Sequence, residues 1–195
     1  MRSSRPVLSH LLLTAALFPA AADIAVAGVL VERTVAFVNK KPVLLSDVGL
    51  TKALLQIPES DAIERTIEET LMYEEASRLT SGAPPEEEIV SALLDLDQKG
   101  GRGFGRALLR RKALAQIAIS KYIDLRLRPL VRIEDAEVRR VFNEKVLNDP
   151  RPPTFSVAAP SIRAALEARS LDQKIEDWIA SLRRRETVRR LAPAR

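Results

Sequence analysis

Val29-Leu-Val-Glu-Arg-Thr-Val-Ala-Phe-Val-Asn39-Lys-Lys-Pro42-Val-Leu-Leu-Ser46-Asp47 is the stretch on which the reading of the fold turns. Val29 to Val38 is rich in β-branched residues, and Val43-Leu44-Leu45 resumes that character after a break, which is a hairpin signal. Asn39 tolerates the left-handed conformation that a tight turn needs. Pro42 has no amide donor and therefore belongs at a turn end or on an edge strand. Ser46 is the expected N-cap of a first helix, with Asp47 in the first turn, where a negative charge favours the helix dipole. That helix runs to about Gln56 and stops before Pro58.

Beyond the hairpin the pattern is helical. Asp61-Ala-Ile-Glu64 has the form of a capping box, and Ile63, Ile67, Leu71, Met72, Ala76 and Leu79 keep helical spacing as far as Ser81-Gly82. Pro84-Pro85 followed by Glu86, Glu87 and Glu88 opens the next helix, and Gly100-Gly101 closes it. A long helix is expected from Phe104 to Arg128 before Pro129, then a short one capped by Asp135 and carrying Val138, Val141 and Phe142. Pro150, Pro152, Pro153 and Pro160 mark residues 148–160 as a linker. From Ser161 a final helix steps along Ala164, Ala168, Leu171, Ile175, Trp178 and Leu182. Thr187 to Leu191 could add a third strand to the hairpin, its arginines guarding the edge.

Composition narrows the function. The 195-residue chain has no cysteine, and its one histidine is His10, which removes disulfides, thiolate metal sites and histidine-based catalysis downstream of that position. Arg2 and Arg5, the apolar run from Val7 to Ala22 and Ala25-Val26-Ala27 read as a cleavable export signal over residues 1–27. A retained membrane anchor is the rival reading, against which the apolar run is short for a spanning helix, and no stable membrane insertion is expected after cleavage. Twelve acids and two bases lie between Glu59 and Asp97, whereas nine bases and one acid lie between Arg102 and Arg132. Opposite-charge helices packing together account for this asymmetry better than a nucleic-acid partner does. Gly100-Gly-Arg-Gly-Phe-Gly105 lacks the Lys-Ser/Thr ending of a phosphate loop. The carboxylates around Glu86 lack the loop spacing of a calcium site.

Val35 to Val48 resembles the opening of the periplasmic SurA-type chaperones, whose hairpin carries a V-N-x-x-P-[IV]-x-x-S-[DE]-[IV] pattern. Thr66-Ile-Glu-Glu-Thr-Leu-Met-Tyr-Glu-Glu-Ala76 is similar to the family's following helix, with Thr70 and Glu74 departing from it. Ile119 to Val138 is similar to the segment before the family's isomerase domain, and Ile162 to Leu191 resembles its closing helix and strand. No parvulin-type isomerase domain fits between them, since only the proline-rich stretch occupies that place. The expected fold is therefore mainly α: a multi-helix chaperone module with a small N-terminal hairpin over residues 28–147, a linker, and a C-terminal helix and strand over 161–195 packing back on it. The resemblance implies an ATP-independent periplasmic holdase, not an enzyme, needing no cofactor or metal and binding unfolded clients such as outer-membrane protein precursors. A dedicated adaptor for one protein partner is the alternative, and a prolyl isomerase the more remote one. Met72, Tyr73, Tyr122, Phe142 and Trp178 are the candidate peptide-binding residues, being large or adaptable side chains.

Overall fold

The structure is a computed structural model that describes residues 32–79, 82–146 and 153–191. The expected export signal, the first residues of the expected hairpin and the start of the expected linker lie outside the described residues. Strands β1 (Thr34–Val38) and β2 (Lys41–Leu44) form the hairpin, and β3 (Val188–Arg190) joins the other side of β1, giving an antiparallel order β2-β1-β3. Asn39 takes the left-handed conformation, with φ of 53°. Pro42 sits on an edge strand, where its missing donor costs no ladder bond. Ala36, Val38 and Val43 point inward, and Arg189 lies over the Phe37 ring at 4.9 Å on the outer face.

Six helices follow the hairpin or precede β3: α1 (Leu45–Leu55), α2 (Glu59–Ser77), α3 (Glu86–Leu96), α4 (Arg106–Tyr122), α5 (Asp135–Val141) and α6 (Phe155–Arg185). The mainly helical fold with a small sheet and a long C-terminal helix agrees with the sequence reading, but several helix starts differ from it. Ser46 lies inside α1 rather than capping it, and its backbone N–H is met at 3.2 Å by the carboxylate of Glu32. The start of α2 is set by Pro58, so Asp61 and Glu64 do not act as a capping box. Glu134, not Asp135, is the N-cap of α5. The expected long helix is divided: α4 gives way at Ile123 to a wider π-helical turn that ends at Leu127, before Pro129.

The largest difference concerns the expected linker, because α6 begins at Phe155 and runs through Pro160. A proline in the second turn removes one bond, to the carbonyl of Ser156. Both residues are exposed, so the freed carbonyl is open to solvent. Ser161 is thus an interior residue whose hydroxyl donates to the Ala158 carbonyl at 2.9 Å.

Two apolar clusters hold the chain. The first joins the sheet to Val48 of α1, to Ala62, Ile67, Leu71 and Ala76 of α2, and to Trp178 and Leu182 of α6. The second packs Leu50 of α1 and Ile89, Leu93 and Leu96 of α3 on Leu109, Ala113 and Ile117 of α4. The corner between α3 and α4 requires glycine twice. Gly100 has φ of 113°, and a Cβ on Gly101 would lie 2.7 Å from the Leu96 carbonyl oxygen. The acidic and basic segments do pack together. Arg110 forks onto Glu86 at 3.0 and 3.1 Å and holds its carboxyl below the usual range, Lys121 meets Glu88 at 2.6 Å, and Lys112 pairs with Glu69.

The C-terminal segment is fastened to the hairpin and to α2 by polar contacts. The backbone N–H of Asn39 donates to the Thr187 carbonyl at 2.7 Å, and the Thr187 N–H donates back to Asn39 Oδ1 at 3.0 Å. Asn39 Nδ2 donates to Glu74 at 2.7 Å and to Glu186 at 2.8 Å. Glu64 receives Arg183 at 3.1 Å and Arg190 at 2.7 Å. Burial pushes the Glu64 carboxyl up, but hydrogen bonds from Arg183 and Arg190, reinforced by their charges, outweigh it and leave the carboxyl below the ordinary range.

Two outcomes follow. Asn39→Asp replaces a two-way donor by a third carboxylate beside Glu74 and Glu186. It should destabilise the fold at pH 7 by about 1–3 kcal/mol, whereas Asn39→Gly, which keeps the left-handed turn, should lose less. Thermal unfolding compares the two, and equal losses would contradict the account. Because the folded pKa of Glu64 is depressed, its contribution is present above the unfolded value near ~4.3 and is lost as pH falls through the folded one. The difference in melting temperature between wild type and Glu64→Gln should therefore be largest at neutral pH and close on acidification; a gap unchanged down to acid pH would refute it.

Candidate functional site

Of the six helices, α6 buries the smallest share of its residues. Of its 31 residues only Ala158, Trp178 and Leu182 are buried, so no residue between Ala158 and Trp178 is. Its C-terminal part rests on the first apolar cluster. Its N-terminal turn rests on α5 and the turn after it, where Phe155 meets Phe142 edge-on at 5.3 Å and Arg139 lies 4.6 Å from the Phe155 ring. Arg163 ties the two further, donating to the Ile133 carbonyl at 2.8 Å and pairing with Asp135.

Between these supports α6 has open space on two sides. An open groove of about 880 Å³ lies between α5 and α6, with Ile133, Val141, Ile162 and Leu166 as its apolar lining and Arg132, Arg140 and Arg169 among its polar residues. On another face a hollow of about 460 Å³ is lined by Val131, Ala164, Ala168 and Leu171. Positions 162 and 166 stand about 200° around the helix from 164 and 168, so the same stretch presents apolar groups in opposite directions. A helix that carries apolar groups on two faces and leaves them only partly covered is unusual for an element that only fills a core.

A third hollow, about 400 Å³, lies among α1, α2 and α4 and is lined by Leu54, Leu55, Met72, Ile119 and Ile123. Glu69 and Lys112 contribute to its wall and also to that of a smaller hollow of about 160 Å³ that includes Tyr73. Lys112 is paired with Glu69 and donates to the Thr51 hydroxyl at 3.1 Å, and Thr66 donates to the same hydroxyl at 3.1 Å. One Glu69 oxygen, Oε1, is buried without a donor among the described residues.

Of the five residues expected to bind peptide, Trp178 belongs to the first apolar cluster and Met72, Tyr73 and Tyr122 pack against it, whereas Phe142 lies apart. Met72 and Tyr73 line the third hollow and its small neighbour respectively, and Lys41 lies 5.3 Å from the Tyr73 ring. Trp178 and Phe142 are each 7% exposed and serve packing. Tyr122 stacks on Trp178 with ring centroids 4.3 Å apart and planes 5° from parallel. Burial raises the Tyr122 hydroxyl pKa and the charge of Glu75 adds to that, with Arg126 and Arg185 opposing. The groove residues Ile162 and Leu166 were not singled out from the sequence. Their signal was an i, i+4 apolar pair lying off the Trp178 stripe.

Among the described residues no group of three or more acidic, histidine or cysteine side chains could hold a metal ion, and no helix is long and apolar enough to cross a membrane. The Nε1 donor of Trp178 has no partner among the described residues. Trp178→Phe, which keeps a ring on Tyr122 and removes the orphaned donor, should stay within about 1.5 kcal/mol of wild type, whereas Trp178→Ala should lose about 3–5 kcal/mol. Urea unfolding followed by circular dichroism distinguishes them, and a large loss in both would show that the indole nitrogen is satisfied. Comparison with known proteins finds no family model that matches this chain and no curated protein that matches it.

Proposed function

We propose that the protein is an ATP-independent chaperone that holds unfolded polypeptide in the periplasm, with the groove between α5 and α6 as its principal client surface. The observation that carries this reading is the middle of α6, where Ile162 and Leu166 face an open volume of about 880 Å³ instead of a packed neighbour. Retention of half-exposed apolar side chains along a groove, flanked by charge that keeps the surface soluble, is the property a holdase needs. The resemblance of the hairpin, of α2 and of α6 to SurA-type chaperones supports the same reading, and the export signal expected at residues 1–27 supports the compartment. Outer-membrane protein precursors are the proposed clients.

Dilution of a urea-unfolded outer-membrane β-barrel protein, followed by light scattering, tests this directly. The protein should suppress scattering near equimolar ratio without ATP, and Ile162→Asp combined with Leu166→Asp should abolish suppression while leaving helix content unchanged. Absence of suppression by the wild type would overturn the reading. Affinity capture of one folded partner in that case would favour a dedicated adaptor.

A further inference from the structure

The groove between α5 and α6 has a shape and a charge that specify its occupant more closely than a general affinity for apolar chains. We propose that it takes an amphipathic α-helical segment of a partner polypeptide with acidic residues flanking the apolar stripe, rather than an extended strand. This rests on the chaperone reading and names the form of chain that the site receives.

Three observations combine. First, the groove's lining positions on α5 and the helical turn that continues it, 137, 140, 141 and 144, and on α6, 162, 165, 166, 169, 170 and 173, recur at three and four residues. Each helix thus offers one face, leaving the third place of a three-helix arrangement open. The lining of α6 spans residues 161–173, about 18 Å, enough to seat roughly three turns of a helix. Second, a wall made of helices keeps its own backbone groups internally bonded. An extended segment laid there would bury N–H and C=O groups with no partners, whereas a helix satisfies its own. The edges able to pair with a strand, β2 and β3, belong to the sheet and not to this groove.

Third, the charge at the groove is unbalanced. Arg140 is neutralised by Glu144 at 2.9 Å. Arg132 and Arg169 have no ion pair among the described residues, and Glu137 is the one lining carboxylate in the same position. Two free guanidinium groups against one free carboxylate favour carboxylates on the incoming helix. Ser161, Ala165 and Ser170 are small, which allows a close approach of backbone to backbone.

Fluorescence anisotropy on the full-length protein tests this with three labelled peptides: a helix with a leucine stripe flanked by glutamates, the same stripe flanked by lysines, and the glutamate version broken by a central proline. The first should bind about tenfold more tightly than the second, as two exposed ion pairs supply, and the proline version should bind more weakly still. Arg132→Glu combined with Arg169→Glu should reverse the preference between glutamate and lysine flanks. Ala165→Trp, which fills the groove from an exposed position, should abolish binding of all three. Equal binding of the proline-broken peptide, or a preference indifferent to the charge reversal, would overturn the proposal. Suppression of client aggregation without binding of the glutamate helix would overturn it while leaving the chaperone reading intact; failure of both assays would overturn both.

Discussion

Asn39 is the contact on which the closure of the chain depends. Its left-handed backbone makes the hairpin turn, and the same residue exchanges two hydrogen bonds with Thr187 and donates to Glu74 and Glu186. One short side chain thereby joins the turn, α2, the end of α6 and the approach to β3. Without that junction β3 would have to pair through three residues alone, which is little for a strand. The ion pairs of Glu64 with Arg183 and Arg190 act in parallel and are exposed to solvent, so they orient the segment more than they stabilise it. The stability comes from Leu182 and Trp178, which the junction sets against Leu71 and Ile67 in the first apolar cluster.

The division into two apolar clusters explains why α1 has no clean amphipathic stripe. Val48 enters one cluster and Leu50 the other, so the helix is a shared wall with apolar groups on both sides. Thr51 sits at the junction and finds partners in Thr66 and Lys112, which keeps a buried hydroxyl from being left unpaired. Helix α4 plays the same part on the opposite side, with Leu109 and Ile117 in one cluster and Ala118 and Ile119 in the other. The opposite charges of α3 and α4 then fall on the rim of the second cluster, where solvent screens them.

Much of the fold was legible because it follows from local chemistry. Asn39, Pro42, Pro84-Pro85 and Gly100-Gly101 each mark a boundary through backbone conformation, and each boundary stands where it was read. The helix caps were less legible because their partners come from afar. The N–H of Ser46 is met by Glu32, and Glu64 is engaged by arginines more than a hundred residues away instead of capping α2. Pro160 misled because the rule against proline within helices weakens where the freed carbonyl is wet. At the site, choosing by size and aromaticity selected Trp178 and Phe142, which are the side chains a core claims first. The aliphatic pair Ile162 and Leu166 drew no notice because its meaning depends on what is missing opposite it.

Phe142, Phe155, Val138 and Ala158 belong to neither main cluster, so α5 and the first turns of α6 form a small satellite with its own contacts. Its detachment exposes few apolar side chains and leaves both clusters intact. Buried apolar contact is thus shared unevenly along one continuous helix, and the end with fewer such contacts is the one expected to open at lower free energy. Amide exchange in the first half of α6 would then run ahead of exchange around Leu182, with the helix acting as a beam that stays attached at one end while the other is released.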